Sequence, residues 1–186
     1  MGQITNQKGA TAGGDNVGGN KVVINLPPRE PITAFATLKE RLTADIAGGV
    51  RVMTTIDKLK RYEAEVTHDG VVGLSAKLDI AGRHDEISYA LSQKERFAMF
   101  LVEWSFFETA QKLIALALGT IEYEYNRHII PHVSTLNRQQ VDHLVHDRVV
   151  VPLFNDIGVD VFDVDQNLIM GMVYWLADQC YVRWHP

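Results

Sequence analysis

One cysteine, Cys180, stands in the whole chain of 186 residues. A single thiol makes no internal disulfide. That excludes a disulfide-stapled fold and fits a reducing compartment. Basic residues are also in deficit: 18 Lys and Arg against 23 Asp and Glu, a formal charge of −5 with both signs well mixed. Proteins built to grip nucleic acid carry a basic face or stripe. None is visible here, so no direct nucleic-acid partner is expected. Long apolar runs are missing too. The longest candidate, Leu113 to Gly119, falls far short of the roughly 18 residues a membrane helix needs. It reads as a core helix, and no membrane partner is expected. Met1 to Thr11 is polar and lacks the apolar stretch of a signal peptide. Together these absences predict a cytoplasmic protein.

What is present is ordinary globular composition, 46% apolar and 22% charged, enough to build one core in a chain of single-domain size. Residues 1–30 differ from the rest. Gly2, Gly9, Gly13, Gly14, Gly18 and Gly19 crowd there with Asn6, Asp15, Asn16 and Asn20, which is turn chemistry. The β-branched run Lys21-Val22-Val23-Ile24-Asn25-Leu26, closed by Pro27-Pro28, predicts one short strand. A lone strand leaves its backbone groups unpaired and seeks a partner segment or chain. Val22, Val23 and Ile24 are therefore candidate interaction residues, and the arm is either an assembly element or a disordered leader.

From residue 31 onward the pattern is helical. Phe35, Leu38, Leu42 and Ile46 share one stripe until Gly48-Gly49 breaks it, and Ile56, Leu59 and Tyr62 mark a second helix begun by Thr54-Thr55-Ile56-Asp57. Residues 67–83 are irregular, with a short helix near Leu74 to Ile80. Ile87, Leu91, Phe97, Leu101 and Trp104 lie at helical spacing. Ser105-Phe106-Phe107-Glu108 reads as a capping box for a long helix that Pro131 stops. Asn137-Arg138-Gln139-Gln140 caps another, running to about Ile157 with a kink at Pro152. Asp165 begins a last helix through Met170 and Tyr174. The alternating tail Cys180-Tyr181-Val182-Arg183-Trp184 predicts a short strand. The expected fold is mainly α: about six helices in a compact domain over residues 31–186, with a short N-terminal strand and a short C-terminal strand.

Chemistry-bearing residues are scattered. His128 and His132 are four apart, as two helical metal ligands would be, but Pro131 intervenes. His143 and His146 are three apart, with Asp147 following. These four histidines support an alternative reading as a small metal-dependent nuclease or hydrolase, against the simpler one of exposed or interface histidines. Asp160, Asp163 and Asp165 lack the Gly and terminal Glu of a calcium loop and read as a turn with Asp165 as a cap. Gly13 to Lys21 precedes a strand rather than following one, so it is no phosphate loop. Cys180 has no base nearby in sequence, and no serine sits in a nucleophile elbow. No cofactor, no metal and no enzymatic activity are expected. Trp104, Phe106, Phe107, Tyr174, Trp175 and Trp184 are mostly core by spacing, with Tyr174 and Trp184 as candidate interface anchors.

Several stretches resemble a known family. They are Leu59-Lys60-Arg61-Tyr62 through Gly73-Leu74, Ala90 to Ala98, His128-Ile129-Ile130-Pro131, Val151-Pro152-Leu153, Gly171-Met172-Val173-Tyr174-Trp175-Leu176, and the ending Cys180-Tyr181-Val182-Arg183-Trp184. In order and character, over residues 33–186, they are similar to the C-terminal domains of bacterial ABC-three-component conflict systems, the group that includes Lamassu-type phage defence. The resemblance implies a non-catalytic adaptor or regulatory subunit that meets an SMC-like ABC ATPase, an effector, or both, and the arm adds a homo-oligomer as a further expectation. Two departures stand out. A glycine-rich arm occupies the place where an effector domain is usual, and Asp178-Gln179-Cys180 replaces an expected Gly-Asn-Cys.

Overall fold

A computed structural model of the chain describes residues 24, 26–64 and 70–185, and among these the regular structure is helical with no strand. The helices are α1 (Thr33–Gly48), α2 (Asp57–Glu63), α3 (Leu74–Ile80), α4 (Ile87–Trp104), α5 (Glu108–Glu124), α6 (Arg138–Val145), α7 (Val151–Ile157) and α8 (Gln166–Asp178). α1 ends where Gly49 takes φ 64°, a left-handed turn open to glycine at little cost.

Two expected caps form. Asn137 accepts from the Gln140 N–H while the Gln140 side chain bonds back, and the Asp165 side chain accepts from the Leu168 N–H. Two others do not. The Ser105 hydroxyl donates back to the Val102 carbonyl at 2.7 Å, so Phe107 opens α5 without a side-chain cap. Neither Thr54 nor Thr55 caps α2; the Ile56 N–H at its start bonds the Gln111 side chain at 2.7 Å. A more distant acceptor won in the second case, and the preceding helix captured the hydroxyl in the first.

Both prolines inside helical runs leave the same mark. A proline supplies no N–H, and its ring crowds the carbonyl four residues back. The helix widens into a π turn ahead of each: Tyr125–Ile129 before Pro131 and His146–Val150 before Pro152. The expected kink at Pro152 is therefore a π turn joining α6 to α7.

α8 lies at the centre of the bundle. Every residue from Leu168 to Ala177 except Met170 is buried, which explains a helix apolar nearly all round. Its closest neighbour is α4. A Cβ placed on Gly171 would meet the Gln93 carbonyl oxygen at 2.5 Å and the Phe97 Cβ at 3.2 Å, so only glycine allows this approach. Phe97 packs on Trp175, and Phe100 and Trp104 pack on Phe162. α1 lies across α5 and α7 and buries Phe35 and Leu42 completely.

The tail corrects one expectation. Residues 180–184 are not a strand. Cys180 sits at φ 68°, outside the extended region, and the Cys180 and Tyr181 N–H groups close the end of α8 on the Ala177 and Leu176 carbonyls. The alternation is real, but it reflects burial on an irregular path: Cys180, Tyr181, Val182 and Trp184 are all buried. Asp178, the residue at odds with the expected Gly-Asn-Cys, ties this corner together. It accepts from the Leu74 N–H at 2.9 Å at the start of α3 and from Lys94 at 3.0 Å. Lys77, fully buried, donates to the Ala177 carbonyl at 2.6 Å, a cation at a helix C-terminus where the dipole favours it. Of the expected N-terminal strand, Lys21, Val22, Val23 and Asn25 lie outside the described residues, and Ile24 and Leu26 are not in a strand.

Candidate functional site

The tail, α4, α6 and α8 enclose a cleft of about 390 Å³. Arg83, on the turn before α4, is its charged centre: 3.0 Å from Glu86 and 2.7 Å from Asp142, with its guanidinium 5.9 Å from the Trp184 ring centre. Tyr174 and Trp184 pack at a tilt with ring centres 5.7 Å apart and form the inner wall. Both are buried and line this cleft. Cys180 does not join them; its thiol lies against the Val71 carbonyl at 3.7 Å. Behind Trp184, Tyr125 is fully buried and its hydroxyl has no hydrogen-bond partner. Burial pushes the phenols of Tyr125 and Tyr174 well above the ordinary tyrosine range. The cleft's charges answer one another, so its acids are held in ion pairs.

The histidines stay apart. His128 lies 4.0 Å from Glu124, and His146 lies 3.1 Å from Asp147 on the cleft side of α6. Among the described residues no group of three His, Cys, Asp or Glu side chains is placed to hold a metal ion. Asp160 faces Lys39 at 3.7 Å while Asp165 caps α8 and pairs with Arg96. That set is a turn and a cap.

A wider concavity lies elsewhere. A groove of about 890 Å³ runs between α1, α2 and α5, floored by Ala115 and Leu116 and walled by Ile32, Leu38 and Ile56. Gln111, buried in α5, accepts from Ile56 N–H and donates to the Thr54 and Ser105 carbonyls at 3.0 and 2.6 Å. This fixes the start of α2 away from α1. Segment 27–32 closes one end. Arg148 bonds the Pro27 carbonyl and, from within the second π turn, pairs with buried Glu124 at 2.8 Å. Arg29 pairs with Asp156 at 2.5 Å; its side chain is 7% exposed, and its Nε and Nη1 have no hydrogen-bond partner.

A separate feature is an exposed apolar stripe. Met99, Val102 and Phe106 project at helical spacing from the end of α4, 67%, 69% and 44% exposed. The Val52 N–H bonds the Phe106 carbonyl at 2.8 Å and brings the loop with exposed Val50 and Met53 alongside. Sequence reasoning named none of Arg29, Gln111, Arg148, Met99 or Val102, and it grouped Phe106 with residues mostly core by spacing, whereas Phe106 is 44% exposed. The stripe had a signal: Met99, Val102 and Phe106 fall off the face defined by Phe97, Leu101 and Trp104. The polar residues had none, because their partners lie far away in sequence.

No helix among the described residues is long and apolar enough to cross a membrane. Residues 73–184 match the model of C-terminal domain 9 of the ABC-three component systems. No curated protein and no solved structure is similar enough to the chain to count as a match.

Proposed function

Because the chain belongs to the family of C-terminal domain 9 of the ABC-three component systems, we propose that it is a non-catalytic adaptor or regulatory subunit of a bacterial anti-phage system of this type. It joins an SMC-like ABC ATPase, an effector, or both, through protein contacts in the cytoplasm, without binding nucleic acid directly. The observation that carries this reading is the apolar surface left open around the end of α4, the stripe of Met99, Val102 and Phe106. A contiguous apolar patch of this kind marks an interaction site. Catalysis would need polar groups free to act in a cleft, whereas the Arg83 cleft spends its charges on internal pairs. Tyr174 and Trp184 serve as the packed wall of that cleft and act on partners through it.

Co-purification with the products of neighbouring genes tests the reading. The tagged chain is expected to retain at least one of them. Failure to retain any, together with nuclease activity of the purified chain that is lost on His143→Ala, would replace the adaptor with the hydrolytic reading.

A further inference from the structure

Residues 26–32 lead into α1 without regular structure. Pro27, Pro28 and Pro31 among them have no N–H and a fixed φ. The segment is therefore stiff, and it cannot enter a helix interior or the middle of a sheet. It is tied at two places. Arg148 donates to the Pro27 carbonyl at its start. Toward its end, Asp156 on α7 accepts from Arg29 at 2.5 Å and from the Ile32 N–H at 3.3 Å. Pro27, Pro28, Glu30 and Pro31 are exposed. We propose that this strap is a latch. It swings off α7 as a unit about the start of α1 while the bundle stays folded, and so opens the end of the α1–α2–α5 groove that Arg29 and Ile32 line.

The closed strap is held at points, and one of them is incomplete. The Arg29 and Asp156 side chains are 7% and 5% exposed, so both ions have lost their water. Such a pair offsets its desolvation only when the remaining nitrogens are also hydrogen-bonded. Nε and Nη1 of Arg29 have no partner. In the open strap, water satisfies all the guanidinium donors. Closing therefore exchanges a hydrated cation for a pair bonded through one nitrogen, which leaves the closed state only slightly favoured. Two features bring the strap back. Its prolines leave little freedom to gain on release, and Ile32 packs against the core. Opening also leaves the bundle intact, because Arg148 keeps its pair with Glu124 when the Pro27 carbonyl departs. Few ties on an exposed backbone are the physical marks of a segment that opens locally.

Native-state hydrogen exchange on the full chain, followed by NMR in rising low concentrations of urea, tests it. The Ile32 amide reports the latch. The Val173 amide, inside buried α8, reports unfolding of the bundle. Ile32 is expected to exchange at least ~10-fold faster than Val173, at a rate that low urea hardly changes, because a local opening exposes little surface. Asp156→Asn keeps an acceptor for the Ile32 N–H but removes the charge that faces Arg29. It should speed Ile32 exchange by a further ~10-fold or more, and Val173 exchange by less. An Ile32 amide that shares the rate and urea dependence of Val173 overturns the proposal, since the strap then leaves only when the whole core does. So does an Ile32 amide that exchanges as fast as a free peptide, because the strap then has no closed state. An Asp156→Asn variant whose Ile32 amide exchanges like the parent's overturns it too. If that variant does not fold, the urea series on the parent decides alone.

Discussion

Residues 73–184, which carry the family match, and the helices α1 and α2 that precede them are held by different forces. The matched region is close-packed around α8. Its tightest contact is backbone against backbone at Gly171, and a chain of rings runs from Trp175 through Phe97 and Phe100 to Phe162 and Trp104. α1 and α2 meet α5 through a few buried side chains and isolated polar ties, such as Thr109 to Asp45 at 2.6 Å and the two bonds of Gln111 to Ile56 and Thr54. The matched region holds the cleft of about 390 Å³ beside Arg83, whereas pinning by separate bonds leaves the wider groove of about 890 Å³. The contrast explains why the open surface forms at the seam between the two regions.

The comparison breaks most severely if the two regions are parted. Phe35, Leu42, Leu59 and Tyr62 are buried, and each contributes about 1.5–3 kcal/mol on burial. Their combined weight rivals the roughly 5–15 kcal/mol stability of a whole domain. A fragment spanning residues 73–184 is therefore expected not to fold alone, read as lost helical circular dichroism and loss of a cooperative melt. A cooperative fragment would show that the matched region carries its own core.

Next in size is a buried ion pair inside the matched region that also reaches the segment before α1. Arg148 and Glu124 are both buried, and Arg148 also holds the Pro27 carbonyl. Arg148→Met strands a buried carboxylate and should cost about 3–5 kcal/mol in urea unfolding. Replacing both partners by apolar residues should recover most of that loss, because the unpaired charge is what costs.

Much of this architecture was legible in the sequence. The helices from Ile87 to Trp104 and from Arg138 to Ile157, the caps Asn137 and Asp165, and the Gly49 stop all follow from local rules, because each depends on neighbours within a few residues. The family followed from the Gly171-to-Leu176 and Cys180-to-Trp184 motifs. The C-terminal strand did not survive, since a strand needs a partner backbone that no local pattern guarantees. The groove was invisible for the same reason: Gln111 reaches Thr54 and Arg29 reaches Asp156 across more than 50 residues.

A smaller effect sharpens the account of the matched core. Gly171→Ala puts a methyl within 2.5 Å of the Gln93 carbonyl oxygen, and α4 and α8 must separate. The expected loss is about 1–3 kcal/mol, as for other overpacked cores. A melting temperature equal to that of the parent would mean the two helices part freely.

The smallest effect near neutrality is alkaline. Tyr62, Tyr125 and Tyr174 ionise above their ordinary range, burial being the main cause, and Glu122 adds to it at Tyr62. A raised folded-state pKa means that the folded chain keeps protons the unfolded chain releases. Stability is full below the unfolded value near 10 and falls as pH rises above it. Tyrosinate absorbance should therefore lag in the folded protein and jump with unfolding. A smooth titration of all six tyrosines near their free value would contradict the buried placement.

The amino-acid pattern by itself determined the helical class, most helix limits, the single-core size and the family. These depend on periodicity, caps and short motifs, which act over a turn or two of chain. Only the tertiary structure decided that the tail runs irregularly, that two prolines widen their helices into π turns, that Tyr174 and Trp184 face inward, and that a groove opens between α1, α2 and α5. Each of those is settled by which distant backbone or side chain arrives to satisfy a hydrogen bond or fill a space, and packing alone makes that choice.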